Sequence, residues 1–131
     1  MKSIAVLSAA WLAGGFVLAV ASEPRAVARS AADAAPVHRV EIAASRYAFE
    51  PAVVEARQGE TVELVARSKD TDHGLAIKAL GVKLAIPKGG AAASASFVAE
   101  KAGRFLIECS EYCGSGHKRM KGELVVAEAA R

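Results

Sequence analysis

The chain has 131 residues, with 17 Lys and Arg against 14 Asp and Glu, a formal net charge of +3 and 53% hydrophobic residues. That length holds one domain, and the basic excess is too small to argue for nucleic acid as a partner. A chain of this size buries about two-thirds of its unfolded surface, so a core forms without a disulfide to staple it.

Residues 1–21 read as a secretory signal peptide. Lys2 precedes the apolar run Ile4 to Val20, and Ala19-Val20-Ala21 offers a small-x-small cleavage site ahead of Ser22-Glu23-Pro24. The rival reading is a single membrane anchor, although the run is short for a span and Gly14-Gly15 weakens it as a helix. Either reading places the folded part outside the cytoplasm, periplasmic or otherwise exported, and on a membrane only if the segment stays uncleaved. Residues 22–36 are rich in Ala, Ser and Arg without an apolar period and read as a flexible linker. The only tryptophan, Trp11, falls in the leader.

From residue 37 to 131 the pattern is that of short strands separated by turns. Val40 and Ile42 alternate with Arg39 and Glu41, and Val53-Val54 follows Pro51. Past the turn Gln58-Gly59-Glu60, the residues Val62, Leu64 and Ala66 alternate with Thr61, Glu63 and Arg67. Leu75 to Leu80 is apolar, Pro87-Lys88-Gly89-Gly90 marks a turn, and Phe97-Val98, Arg104 to Glu108 and Glu123 to Ala127 complete about seven strands. Ser94 and Ser96 alternate with Ala95 and Phe97, which makes a strand of a stretch whose alanines could suit a helix. These elements predict an all-β, two-sheet antiparallel sandwich.

The chemistry concentrates in Cys109-Ser110-Glu111-Tyr112-Cys113-Gly114-Ser115-Gly116-His117-Lys118-Arg119-Met120. Both cysteines, one of three histidines and one of two methionines fall within these twelve residues. Thiolate, imidazole and thioether together are the donors that copper prefers, and two thiolates in one loop point to two ions. Gly114 and Gly116 argue against a continuous helix, so the segment is expected as a loop between two strands. His73, in Asp70-Thr71-Asp72-His73-Gly74, is the expected donor from elsewhere, whereas His38 beside the linker reads as solvated. In an exported protein the default for two cysteines is a disulfide. The His and Met that follow them argue for a metal instead.

The twelve-residue loop resembles the binuclear copper (CuA) loop of cytochrome c oxidase subunit II. Upstream, Tyr47-Ala-Phe-Glu-Pro51 and Gly59-Glu-Thr-Val62 are similar to the opening strands of cupredoxins. Asp72-His73-Gly74 and Ile86-Pro87-Lys88-Gly89 resemble the first-histidine segment of that subunit and the turn after it. The resemblance covers about Tyr47 to Ala127 and implies a cupredoxin-like Greek-key β-sandwich. It further implies that Cys109 and Cys113 bridge two coppers, that His73 and His117 each bind one, and that Met120 is a weak ligand. Glu111 would contribute its backbone carbonyl.

The implied act is one-electron transfer, with no open metal position for a substrate and so no enzymatic activity of the domain alone. Its partner would be a redox protein such as a c-type cytochrome or an oxidase. An exported copper carrier or store, working with a copper-delivery protein or an oxidase, uses the same ligands and stays open, as does a single copper held by one Cys, two His and Met. Zinc on His73, Cys109, Cys113 and His117 would leave Met120 idle. A plain interaction sandwich with a small disulfide loop is the non-metal alternative. Two features depart from the familiar subunit: the mature chain lacks tryptophan, and Lys118, Arg119 and Lys121 make the end of the loop basic. If those charges form a docking patch, the partner's face is acidic. In an oxidising compartment, copper-free protein is expected to carry a Cys109–Cys113 disulfide and to take up copper only after reduction.

Overall fold

The computed structural model describes residues 36–131; the leader and nearly all of the linker lie outside the described residues. Nine strands follow in order: β1 Val37–Ser45, β2 Ala48–Glu50, β3 Val53–Arg57, β4 Thr61–Ser68, β5 His73–Ile77, β6 Val82–Ile86, β7 Ala93–Val98, β8 Gly103–Glu108 and β9 Lys121–Ala127. They form a four-stranded sheet in the order β2-β1-β4-β7 and a five-stranded sheet in the order β3-β9-β8-β5-β6. The architecture is an all-β, cupredoxin-like sandwich. Among the described residues no helix is long and apolar enough to cross a membrane.

Alternation builds the two facing layers. In β4, Val62, Leu64 and Ala66 turn inward and are fully buried, while Glu63 and Arg67 face outward. Phe49, Leu75, Ile77, Ile86, Ile107 and Leu124 meet them from the other strands. Each such side chain contributes about 1.5–3 kcal/mol on leaving water. All five residues of β5 are buried, so that strand shows no alternation, and β6 follows after the short 3-10 turn Lys78–Leu80. The apolar stretch expected over Leu75 to Leu80 is therefore the end of β5 and the turn after it, and the strand β6, paired antiparallel with β5, is an element the sequence pattern did not mark.

The expectation of purely antiparallel sheets is corrected at two places. β1 runs parallel to β4 from Val37↔Thr61 to Ala44↔Ser68, and β3 runs parallel to β9. The chain leaves β1 through β2, crosses to the other sheet for β3, and returns beside β1 as β4. A crossover between sheets brings the chain back in its original direction, which no local pattern encodes.

Candidate metal centre

Three strands end or begin at one edge of the sandwich. β8 stops at Glu108, β9 starts at Lys121, and β5, which runs antiparallel to β8, starts at His73. Backbone hydrogen bonds close the loop onto this frame: Cys109 N–H donates to the Met120 carbonyl at 3.2 Å, and Ser110 N–H to the Gly74 carbonyl at 3.2 Å. The segment is a loop with one short 3-10 turn at His117–Arg119, as its glycines predict. Gly74 is needed for the close approach, because a Cβ there would lie 3.0 Å from Glu111 N and closer still to Ser110 Oγ. At Gly114, φ is +132° and a Cβ would meet Tyr47 Oη at 2.6 Å, so the Tyr47 ring seats the loop from outside.

Within this frame the sulfurs converge. Cys109 and Cys113 are buried, unlinked thiols with Sγ atoms 3.7 Å apart. Two sulfurs bound to one ion at about 2.3 Å each stand at a comparable separation. His73 Nδ1 lies 4.0 Å from Cys109 Sγ. On the other side, His117 Nδ1 lies 3.9 Å and Met120 Sδ 3.8 Å from Cys113 Sγ. The Cys109 thiol donates to the Glu111 carbonyl at 3.1 Å, while the Glu111 side chain faces solvent. Donor atoms of His73, Cys109 and Cys113 all lie within 4.8 Å of one another. All six residues singled out in the sequence thus converge on one sulfur pair, with one imidazole on each flank. His38 is elsewhere, against Glu60 at 3.2 Å rather than simply solvated.

Burial, and then the neighbouring Cys109, push the Cys113 thiol up to about 11. Without a metal this sulfur keeps its proton at neutral pH, and a metal that takes its place releases one. The soft, apolar setting and the mixture of sulfur and imidazole suit copper.

Three residues of the frame were not anticipated. Asp70 Oδ1 lies 2.7 Å from His73 Nε2; with the proton on Nε2, the Nδ1 lone pair faces the sulfurs. Burial opposes ionisation of Asp70, but His73 and the N–H groups of Arg46 and Thr71 outweigh it and bring its carboxyl down to about 2. A carboxylate behind a ligating imidazole fixes tautomer and orientation. The spacing Asp70-x-x-His73 was the available signal. Arg46 Nε donates to the Cys113 carbonyl at 2.8 Å, and Tyr47 covers the glycines. Both come from the segment after β1, remote in sequence from the loop, and carry no local mark of this task.

The family described as "Cytochrome C oxidase subunit II, periplasmic domain" matches residues 37–129. The chain belongs to that family. A Thermus thermophilus protein named cytochrome c oxidase subunit 2 is 26% identical over 91 residues, 70% of this chain and 67% of the relative. Among solved structures, a heme-copper terminal oxidase dimer contains a chain that superposes with a TM-score of 0.61 at 26% identity, covering 68% of this chain and 64% of that one. The periplasmic domain of cytochrome oxidase subunit II from Bradyrhizobium japonicum has a TM-score of 0.60 at 19% identity, with 70% and 84% covered, a likeness of fold. This chain spans about two-thirds of the length of the oxidase chain and of the Thermus relative. Family and donor set together support copper as the metal and electron transfer as the task.

Proposed function

We propose that residues 37–131 form an exported electron-transfer domain with a binuclear CuA-type copper site, preceded by a leader at 1–21 and a linker at 22–36. Cys109 and Cys113 would hold the copper pair through their thiolates, His73 and His117 would bind it from the two flanks, and Met120 and the Glu111 carbonyl would be weak ligands. The observation that carries the reading is the buried, unlinked thiol pair, 3.7 Å apart, with one imidazole beside each sulfur. A single copper using one cysteine would leave the second buried thiol without a task.

When bound, the copper pair supplies reversible uptake of one electron shared between two metals. The protein's part is to keep the donors still. Asp70 locks His73, Arg46 holds the Cys113 carbonyl, and β8 and β9 clamp the loop at both ends. Little then moves when the charge changes, and the buried sulfurs are shielded from water, which tunes the potential. The partners are an oxidase, of which this chain would be a component or a neighbour, or another redox protein such as a c-type cytochrome.

Reduced full-length chain, reconstituted with copper, is the test. Two coppers per chain and a seven-line EPR pattern are expected. One copper with a four-line pattern overturns the binuclear reading, and rapid loss of copper to a competing chelator favours delivery over electron transfer.

A further inference from the structure

Beside the sulfur pair, on the His117 flank, opens a cleft of about 720 Å³ whose wall includes Cys109, His117 and Met120. Its rim carries Lys78, from the turn joining β5 to β6, Lys83, from β6 itself, and Lys118 and Lys121, from the loop and the start of β9. The only acidic group of the lining is Glu108, already engaged by Lys78 Nζ at 2.8 Å and Lys121 Nζ at 3.9 Å. Among the described residues Lys83 and Lys118 make no ion pair, and both are exposed. Arg119, which sequence groups with these lysines, is not part of the rim. Four lysines against one glutamate leave the lining at +3.

A second hollow, of about 300 Å³, lies over His73 and carries Asp72 and Glu111. The imidazole it overlies is 1% exposed. Of the donors in the wall of the basic cleft, Cys109 and Met120 are buried but His117 is half-buried and accessible from it. A partner seated there would meet the site at His117, and the unpaired lysines would steer it in.

We infer that this lysine-rimmed cleft is the docking surface for a redox protein that presents an acidic face. This deepens the electron-transfer reading and rests on it. Oppositely charged surfaces raise association rates by about 10–1,000-fold at low ionic strength, and the exchange is one electron lost by one centre and gained by the other, with no bond made or broken.

The test mixes the copper-loaded full chain with two c-type cytochromes of opposite net charge, at about 20 mM and about 200 mM salt, on either side of strong screening. The acidic cytochrome should exchange electrons at least about 10-fold faster than the basic one at low salt, with the gap closing at high salt. The double variant Lys78→Glu and Lys83→Glu should erase that advantage with an unchanged copper spectrum. Lys78→Gln with Lys83→Gln should give an intermediate loss and guards against misfolding of the reversed pair. A faster basic cytochrome, or no change in either double variant, overturns the assignment. Failure of the electron-transfer reading shows separately, as absent copper EPR and no reduction by ascorbate. In that event the paramagnetic trianion hexacyanochromate(III) is added to the reduced, metal-free chain. Selective NMR broadening at Lys78, Lys83 and Lys118 supports an anion-seeking cleft; broadening elsewhere, or none, removes it.

Discussion

The sandwich carries a histidine–carboxylate pair at each end, and only one lies beside the sulfur pair. His73 meets Asp70 at 2.7 Å beside the sulfurs; His38 meets Glu60 at 3.2 Å near the turn into β4. β9, which starts at Lys121 beside the loop, ends at Ala127, whose carbonyl accepts from Gln58 N–H near the second pair. Its seven residues set the two ends about 20 Å apart. The His73 side chain is fully buried and that of His38 is 38% exposed. His73 opens a strand buried along its whole length and turns its free nitrogen to sulfur. Glu60 instead closes a turn, accepting from Arg57 N–H at 2.9 Å. A carboxylate behind an imidazole is thus not itself a ligand device. Burial and a sulfur on the far side of the ring are what set His73 apart.

The largest expected difference between the ends is in stability. His73→Ala should cost the reduced, metal-free chain about 2–4 kcal/mol, because it opens a cavity and takes one partner from Asp70. His38→Ala should cost no more than about 0.5 kcal/mol, as expected for a part-exposed pair. Urea unfolding of both variants measures this. Equal losses would mean that burial is not what separates the two histidines. Only His73→Ala should also abolish the copper EPR signal.

The legibility of the chain follows the same division. The loop could be read because its chemistry is local, with four donor side chains in twelve residues. β4 could be read because Val62, Leu64 and Ala66 are buried on one face while Thr61, Glu63 and Arg67 on the other stay half-buried or exposed. The apolar stretch Leu75 to Leu80 gave neither the start of β5 nor its turn, because β5 is buried throughout and shows no alternation. The parallel pairing of β1 with β4 is set by a crossover that involves two intervening strands. Asp70 was hidden for a different reason: a carboxylate in a polar loop looks solvated until a buried imidazole is found against it. Lys78 and Lys83 joined the basic rim only when the β5–β6 turn was brought beside the loop.

Removing charge from each carboxylate sharpens the comparison at the level of metal binding. Asp70→Asn keeps the shape but weakens the hold on His73, and should lower copper affinity about 10–100-fold. Competition with a chelator of known affinity measures the loss. Glu60→Gln, at the other end, should leave that affinity within error. A comparable loss from Glu60→Gln would show that the second pair acts on the site through the sandwich.

The smallest expected effect is the pH dependence of the distal pair. The Arg57 N–H, opposed by burial and helped by His38, holds the Glu60 carboxyl below its ordinary value of 4.5. Its ionised form is therefore favoured in the folded chain. The stability it contributes is present above that ordinary value and is lost as pH falls through the lower folded one. Glu60→Gln should accordingly cost less than about 1 kcal/mol at pH 7, and the wild-type advantage should shrink in acid until the two curves meet. Thermal unfolding of the metal-free chain between pH 7 and the acid range checks this. A gap that is unchanged in acid would assign the effect to the shape of the turn rather than to the charge of Glu60, leaving the distal pair without an electrostatic role.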